Sequence, residues 1–343
     1  MTATIESAPG SSAPGSGEGL GGESPTPSRL SKNVLSRVPR AGWSMLIFVL
    51  LFVVGGIIKP NLFTVEGLIS TATFAAILAI ASYGQTIAVI QGGIDLSVPN
   101  TIAFSALGFL TWAGSLGTIP ALLLALAFGA IIGMVNGLIV AKLGLTPIVT
   151  TIAMNGLLFG VVLLNFSLSE LTVVPAGLKA ITSAKFELLG YQIAWVLPIA
   201  LLLMVLLQML LSYTGWGRSL FLVGTSEHTA RLAGQPVARI RIAGYALSGL
   251  LSASAGIIIV GYYSQAEANM GAQYLLGSVA AVVVGGASIF GGRGSMIGTF
   301  VGALVLGQVA TLVAVFNLGA TVQNLIYGVI ILAVVAAYGR EKE

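Results

Sequence analysis

The residue with the most chemistry open to it is Asp95, which stands in Gln91-Gly92-Gly93-Ile94-Asp95-Leu96-Ser97 between two long apolar runs. An Asp at the centre of a membrane helix costs about 2.5–3.5 kcal/mol on insertion scales, so a residue of this kind needs a reason to be there. One reason is proton or cation coupling, and another is contact with a solute. A third is structural: Asp95 and Ser97 are placed to cap the helix that begins near Val98-Pro99, where Pro is accepted in the first turn. The remaining reactive inventory is thin. The chain has no cysteine and one histidine, His228, so disulfides, thiolate nucleophiles, Cys/His zinc sites and haem attachment lack the residues they need. No cofactor is expected. An intramembrane enzyme would need a nucleophile, an acid-base pair or a metal, and His228 on a polar loop reads as a solvated residue. Gly291-Gly292-Arg293-Gly294 lacks the Gly-x-x-x-x-Gly-Lys-Ser/Thr spacing of a phosphate loop, and Arg293 reads as a cytoplasmic anchor.

The elements around these residues are membrane helices. Of 343 residues, 56% are hydrophobic and 8% are charged, against about 25% charged in soluble domains, so lipid is the solvent for most of the chain. The expected fold is all-α and polytopic, with about ten transmembrane helices near 43–58, 67–90, 98–114, 119–141, 147–166, 192–213, 241–264, 273–290, 295–316 and 321–338. Several runs are short or interrupted by glycine, which allows broken or re-entrant helices. Residues 1–40 read as a disordered cytoplasmic tail, because 1–28 are mostly Ser, Gly, Pro, Ala and Glu. Residues 41–340 form the membrane domain and 341–343 a cytoplasmic end. With the N-terminus inside, alternation places Arg29, Lys32, Arg37, Arg40, Lys142, Arg218, Arg231, Arg239, Arg241, Arg293, Arg340 and Lys342 inside. Only Lys59, Lys179 and Lys185 then lie outside, and this asymmetry supports both termini in the cytoplasm. The positive charge thus has a topological cause, and no nucleic acid is expected as a partner.

Two connections are long: an external segment near 167–191 and an internal loop near 214–240. In the internal loop, Ser226 can cap a short helix, Glu227 suits its positive end, Gly234 can close it in the left-handed conformation, and Pro236 stops it. Glu227 and Arg231 sit four apart, a pairing worth about 0.2–0.5 kcal/mol. With Ala230, Ala233 and Gly234 and no amphipathic face for lipid, the helix is suited to a protein groove; the plain alternative is a solvated linker. Elsewhere, Ala88-Val89-Ile90-Gln91-Gly92-Gly93 and Ala281-Val282-Val283-Val284-Gly285-Gly286 match across an offset of 193 residues. This predicts two pseudo-repeated halves with paired glycine breaks, which by analogy with secondary transporters border a transport path. The alternative for each pair is close helix packing.

The stretch from Val223 to Gly234, Val-Gly-Thr-Ser-Glu-His-Thr-Ala-Arg-Leu-Ala-Gly, resembles the cytoplasmic coupling loop of permease subunits in ribose-type ABC importers. Gln91 to Ser97, the run from Ala280 to Gly302, and Leu145-Thr146-Pro147-Ile148-Val149-Thr150-Thr151 agree with the same family, in order along residues 43–338. The resemblance implies a bacterial-type cytoplasmic-membrane permease with a separate ABC ATPase, an extracytoplasmic sugar-binding protein and a second permease copy. It further implies that Gly224, Ser226, Glu227, Ala230, Arg231 and Gly234 couple the ATPase, and that transport proceeds by alternating access. One departure is visible: many members carry an acid shortly after the tyrosine that precedes the Ala-Ala-Val-Val run, whereas Tyr274 is followed by Leu275-Leu276-Gly277-Ser278.

For the path itself the expected residues are Gln91, Gly92, Gly93, Asp95, Gly285 and Gly286. No charged ring or chain of acids lies within the spans, which favours a neutral polar solute over an ion. Amides such as Gln85, Asn100, Asn136, Asn155, Gln308 and Gln323 can serve hydroxyl groups or bond between helices. The competing function is a proton- or sodium-coupled secondary transporter, for which Asp95 and the repeat would be the support.

Overall fold

The computed structural model describes residues 40–166 and 174–339. The expected tail before Arg40, the C-terminal end at 341–343 and part of the external segment lie outside the described residues. Every expected apolar run falls on a helix: α1 Arg40–Ile58, α2 Val65–Ile90, α3 Val98–Leu116, α4 Thr118–Lys142, α5 Pro147–Asn165, α7 Val196–Tyr213, α10 Val237–Tyr263, α11 Gln273–Val284, α12 Met296–Val315 and α13 Ala320–Gly339. Among the described residues three short α-helices, α6 Ala176–Thr182, α8 Gly215–Thr225 and α9 Glu227–Leu232, and a 3-10 helix over Pro60–Phe63 lie between them. Among the described residues six helices, α2, α4, α5, α7, α10 and α12, are long and apolar enough to cross a membrane, while α1, α11 and α13 offer shorter apolar stretches. This is a polytopic helical membrane protein.

Three features depart from the sequence reading. The fold is all-α as expected, but the segment before α7 adds a small hairpin of β1 Lys185–Leu188 and β2 Tyr191–Ala194. Its turn is made by Leu189 and Gly190, both at positive φ (54° and 84°), which suits the twist of a two-residue hairpin. Phe186 then packs on Trp195 with ring centres 4.8 Å apart, and α7 starts at Val196 rather than 192. Second, the helix expected over 273–290 ends at Val284, where Gly286 takes φ +91° and the Ala287 N–H donates to the Val282 carbonyl at 3.1 Å. Third, most of the internal loop is helical: α8 leads directly into α9, and α10 begins at Val237 immediately after Pro236.

Small residues let α10 stand at the centre. Gly129, Gly133 and Gly137 of α4, spaced four apart, meet α10 at Gly249, Tyr245 and Ile242; an added Cβ on Gly137 would lie 2.7 Å from the Ile242 Cα. This is the close approach that small-xxx-small spacing permits in membranes. Gly84 of α2 packs on Ser248, and Gly256 of α10 on Ile102 of α3. Helix α2 is buried continuously from Ala75 to Ile90, as suits a helix apolar all round. By contrast, α5 and α7 leave most of their surfaces uncovered.

Candidate functional site

Helix α9 is short and fixed at both ends by its own sequence. The Ser226 hydroxyl accepts from the Thr229 N–H at 3.2 Å, the bond a helix N-terminus needs. At the other end Gly234 sits at φ +72°, and the Gln235 N–H donates to the Ala230 carbonyl at 3.0 Å, a Schellman closure. The expected Glu227–Arg231 pair forms, with Arg231 Nη2 2.5 Å from Glu227 Oε1. A second cation joins it from α10: Arg241 Nη1 lies 2.8 Å from Glu227 Oε2. The hydrogen bond from Arg231, reinforced by Arg241, outweighs partial burial and holds the Glu227 carboxyl below its usual range. Ala230 is buried against the core of its own chain, whereas His228, Arg231, Leu232, Ala233 and Gly234 are exposed. Ala230 therefore seats α9, and the outward face belongs to its neighbours.

Directly before α9, three glycine-rich segments meet main chain to main chain. The Gly292 N–H donates to the Ile90 carbonyl, the last of α2, at 2.9 Å. A Cβ on Gly224 would overlap that same carbonyl oxygen, and one on Gly291 would lie 2.5 Å from the Gly224 oxygen and 3.0 Å from the Gly92 Cα. Gly92, Gly291 and Gly292 all adopt positive φ (83°, 87° and 73°), which only glycine enters without strain. Residues 90–92, 224 and 291–292 thus form one joint. The two helix ends that lead into it are closed alike. Gly92 donates to Val89 and Gly93 to Ala88, both at 2.9 Å, and Gly286 donates to Val283 and Ala287 to Val282 at 3.0 and 3.1 Å. The turn at Gly92 and the turn at Gly286 are thus closed by the same pair of bonds.

Beyond the joint, residues 91–97 turn back into the bundle and bury Asp95 at 2% exposure. Its Oδ1 accepts from the Ser97 N–H at 3.0 Å and the Ser97 hydroxyl at 2.6 Å, while Oδ2 accepts from the Ser248 hydroxyl at 2.8 Å. Asn136 Nδ2 of α4 donates to the Ser97 oxygen at 2.9 Å. Asp95 therefore ties the start of α3 to α10 and, through Ser97, to α4. Ser97 makes no side-chain cap of its own. Gly93 leaves room for Tyr245, whose hydroxyl oxygen an added Cβ would overlap. The amide of Gln91, buried beside Gly244, and the hydroxyl of Tyr245 have no protein partner.

Of the expected path residues, Gln91, Gly93, Asp95 and Gly285 are buried, Gly286 is half-buried and Gly92 is exposed at the joint. Gly285 packs against the backbone of Gly298 on α12. Several amides bridge elements: Asn100 Nδ2 donates to the Asn155 carbonyl at 2.9 Å, and Thr71 donates to Gln308 Oε1 at 3.1 Å. Ser248 and Arg241 did not stand out in the sequence. For Ser248 the available signal is the row Gly244, Ser248, Ser252 and Gly256 on α10, four small residues spaced four apart.

A family model described as "Branched-chain amino acid transport system / permease component" matches residues 67–335. The autoinducer 2 import system permease protein LsrD of Photorhabdus laumondii subsp. laumondii is 30% identical over 308 residues, covering 88% of this chain and 92% of that protein. The ribose import permease protein RbsC of Escherichia coli K12 is 32% identical over 300 residues, covering 85% and 91%. No solved structure matches the chain. Since the matched region runs from α2 into α13, and these relatives align over most of their own lengths, the chain belongs to the branched-chain amino acid transport system / permease component family.

Proposed function

We propose that this chain is the membrane-spanning permease subunit of an ABC importer, carrying a sugar or sugar-like neutral solute inward. ATP hydrolysis belongs to a separate ATPase subunit, and an extracytoplasmic binding protein delivers the solute. The ribose named for one relative supports the solute class. So does the interior: among the described buried residues Asp95 is the one acid, and no Lys or Arg is buried. A zwitterionic amino acid would need charges of both signs to replace its water, and a hydroxylated neutral solute needs amides and hydroxyls. The working topology is ten crossings in a bacterial cytoplasmic membrane with both termini inside, two pseudo-repeated halves, and two copies around a central path.

The observation that carries the mechanism is the main-chain joint beside α9. A helix that moves with an ATPase can act on the membrane domain only if its contacts differ between states. Gly224 packs against the Ile90 carbonyl at the end of α2 and against the Gly292 N–H in the segment before α12, so displacement of α9 reaches both through unbroken covalent and backbone contacts. Gln91, Gly92, Gly93, Asp95, Gly285 and Gly286 lie where that displacement arrives. Gly224, Ser226, Glu227, Ala230, Arg231 and Gly234 form the coupling unit.

The test is purification of the tagged chain from its native membrane, with intact-mass identification of bound proteins. Wild type brings an ATPase with it. Gly234→Trp loses the ATPase, while Gly234→Asn, which accepts the left-handed conformation, keeps it. Recovery of no ATPase with folded wild type, together with ATP-independent uptake, would replace this reading by a secondary transporter.

A further inference from the structure

At the inner end of α4 lies an open groove of about 730 Å3 bordered by Lys142, Arg231, Gln235 and Arg239, with no acid in its lining. Arg231 shares its charge with Glu227. Among the described residues, Lys142 and Arg239 have no hydrogen bond or ion pair of their own. Like charges in one groove repel, and an anion removes that cost. The groove also has an apolar approach. Ile131, Met134 and Leu138 form one stripe of α4 that ends at Lys142, and they are 46%, 40% and 37% exposed. From Ile131 to Lys142 the helix rises about 16 Å at 1.5 Å per residue, close to half of the ~30 Å hydrocarbon core. The stripe is therefore one leaflet deep, with cations at its foot.

We propose that this groove holds the phosphodiester headgroup of an anionic membrane phospholipid, with an acyl chain along Ile131, Met134 and Leu138. Lys142 and Arg239 neutralise the phosphate, and the Gln235 amide N–H group is free to donate to it, because Gln235 Oε1 already accepts from the Ser219 hydroxyl at 2.7 Å. Basic pockets at the membrane surface take anionic headgroups for the same reason. Free phosphate offers the same charge but gains nothing from the stripe. Because Arg231 both borders the groove and holds Glu227, a bound headgroup steadies α9. The site rests on α4 crossing the membrane and not on the importer reading.

The full chain in mild detergent is titrated with phosphatidylglycerol or phosphatidylcholine of the same acyl chains, and lipid retention is read by native mass spectrometry. Wild type retains phosphatidylglycerol over phosphatidylcholine, retention falls with added salt, and millimolar inorganic phosphate does not displace the lipid. Lys142→Gln/Arg239→Gln weakens phosphatidylglycerol retention by roughly tenfold or more. A Lys179→Gln/Arg293→Gln control, with cations outside the groove, leaves it unchanged. Equal retention of the two lipids by wild type, or displacement by inorganic phosphate, would overturn the proposal without any variant. Equal retention by wild type and the groove variant would also overturn it. None of these readings requires an ATPase or a solute, so a failure here is distinct from a failure of the importer reading.

Discussion

Asp95 keeps its place in an apolar bundle because three donors from Ser97 and Ser248 face its two oxygens. Removing the carboxylate leaves those donors buried and unpaired, which costs more than the net value of the bonds themselves. Asp95→Ala is expected to destabilise the detergent-solubilised protein by about 2–4 kcal/mol, and Ser248→Ala by about 1–2 kcal/mol. Denaturant titration with tryptophan fluorescence measures both, and a silent Asp95→Ala would refute the structural role. Glu227 supplies a pH test with a definite sign. Its folded-state carboxyl sits below the ordinary range because of Arg231 and Arg241, so its contribution is complete above the unfolded carboxylate pKa. That contribution is lost as pH falls through the lowered folded value. ATPase retention by wild type should therefore weaken on acidification, and Glu227→Gln should show weak retention at neutral pH with little further change. The Glu227–Arg231 contact was legible from spacing alone. Arg241 was not, because it approaches from the next helix, and the bond from Ser248 to Asp95 joins residues 153 apart.

Among the elements, those fixed by local chemistry were the most legible. Ser226, Gly234 and Pro236 bound α9 in the sequence and bound it in the structure, because capping and the left-handed closure are settled within a turn. The hairpin was not legible: its Leu189-Gly190 turn lacks the usual Asn-Gly or Asp-Gly signature. The extent of α8 was not legible, because Gly215, Gly217 and Gly224 lower helix propensity. Gly217 and Gly224 instead serve close packing against the backbones of Leu211 and Ile90. This difference yields a prediction. Gly234→Ala meets no atom within 4 Å and suffers only its positive φ, about 1–2 kcal/mol. Gly224→Ala is driven into the Ile90 carbonyl and must open the joint. Uptake assays on membranes with matched expression should find Gly224→Ala the more damaging of the two, and the opposite order would disprove the joint.

At the scale of the whole molecule, composition made the membrane legible and spacing made the helices legible, but neither showed how they pack. The placing of α10 at the centre depends on glycines of α4 meeting α10 over 100 residues away in sequence. On the proposed reading, helices α5 and α7, mostly uncovered, face lipid or a second copy, and the chain is one part of a larger machine. Purified and reconstituted alone in vesicles, it should hydrolyse no ATP and accumulate no solute, and adding its ATPase and binding protein should restore ATP-dependent uptake. Accumulation by the chain alone would remove the ATPase from the account.

The joint of Ile90, Gly92, Gly224 and Gly291–Gly292 makes its contacts through main chain, so its glycines have no side chains to exchange. A saturation scan should find it nearly barren of tolerated variants, while the outer rim of α9 at His228 and Leu232 accepts many. Divergence between paralogous systems then has one outlet. On the proposed reading, the bearing stays fixed, and discrimination among rival ATPases in one cell is written on the rim.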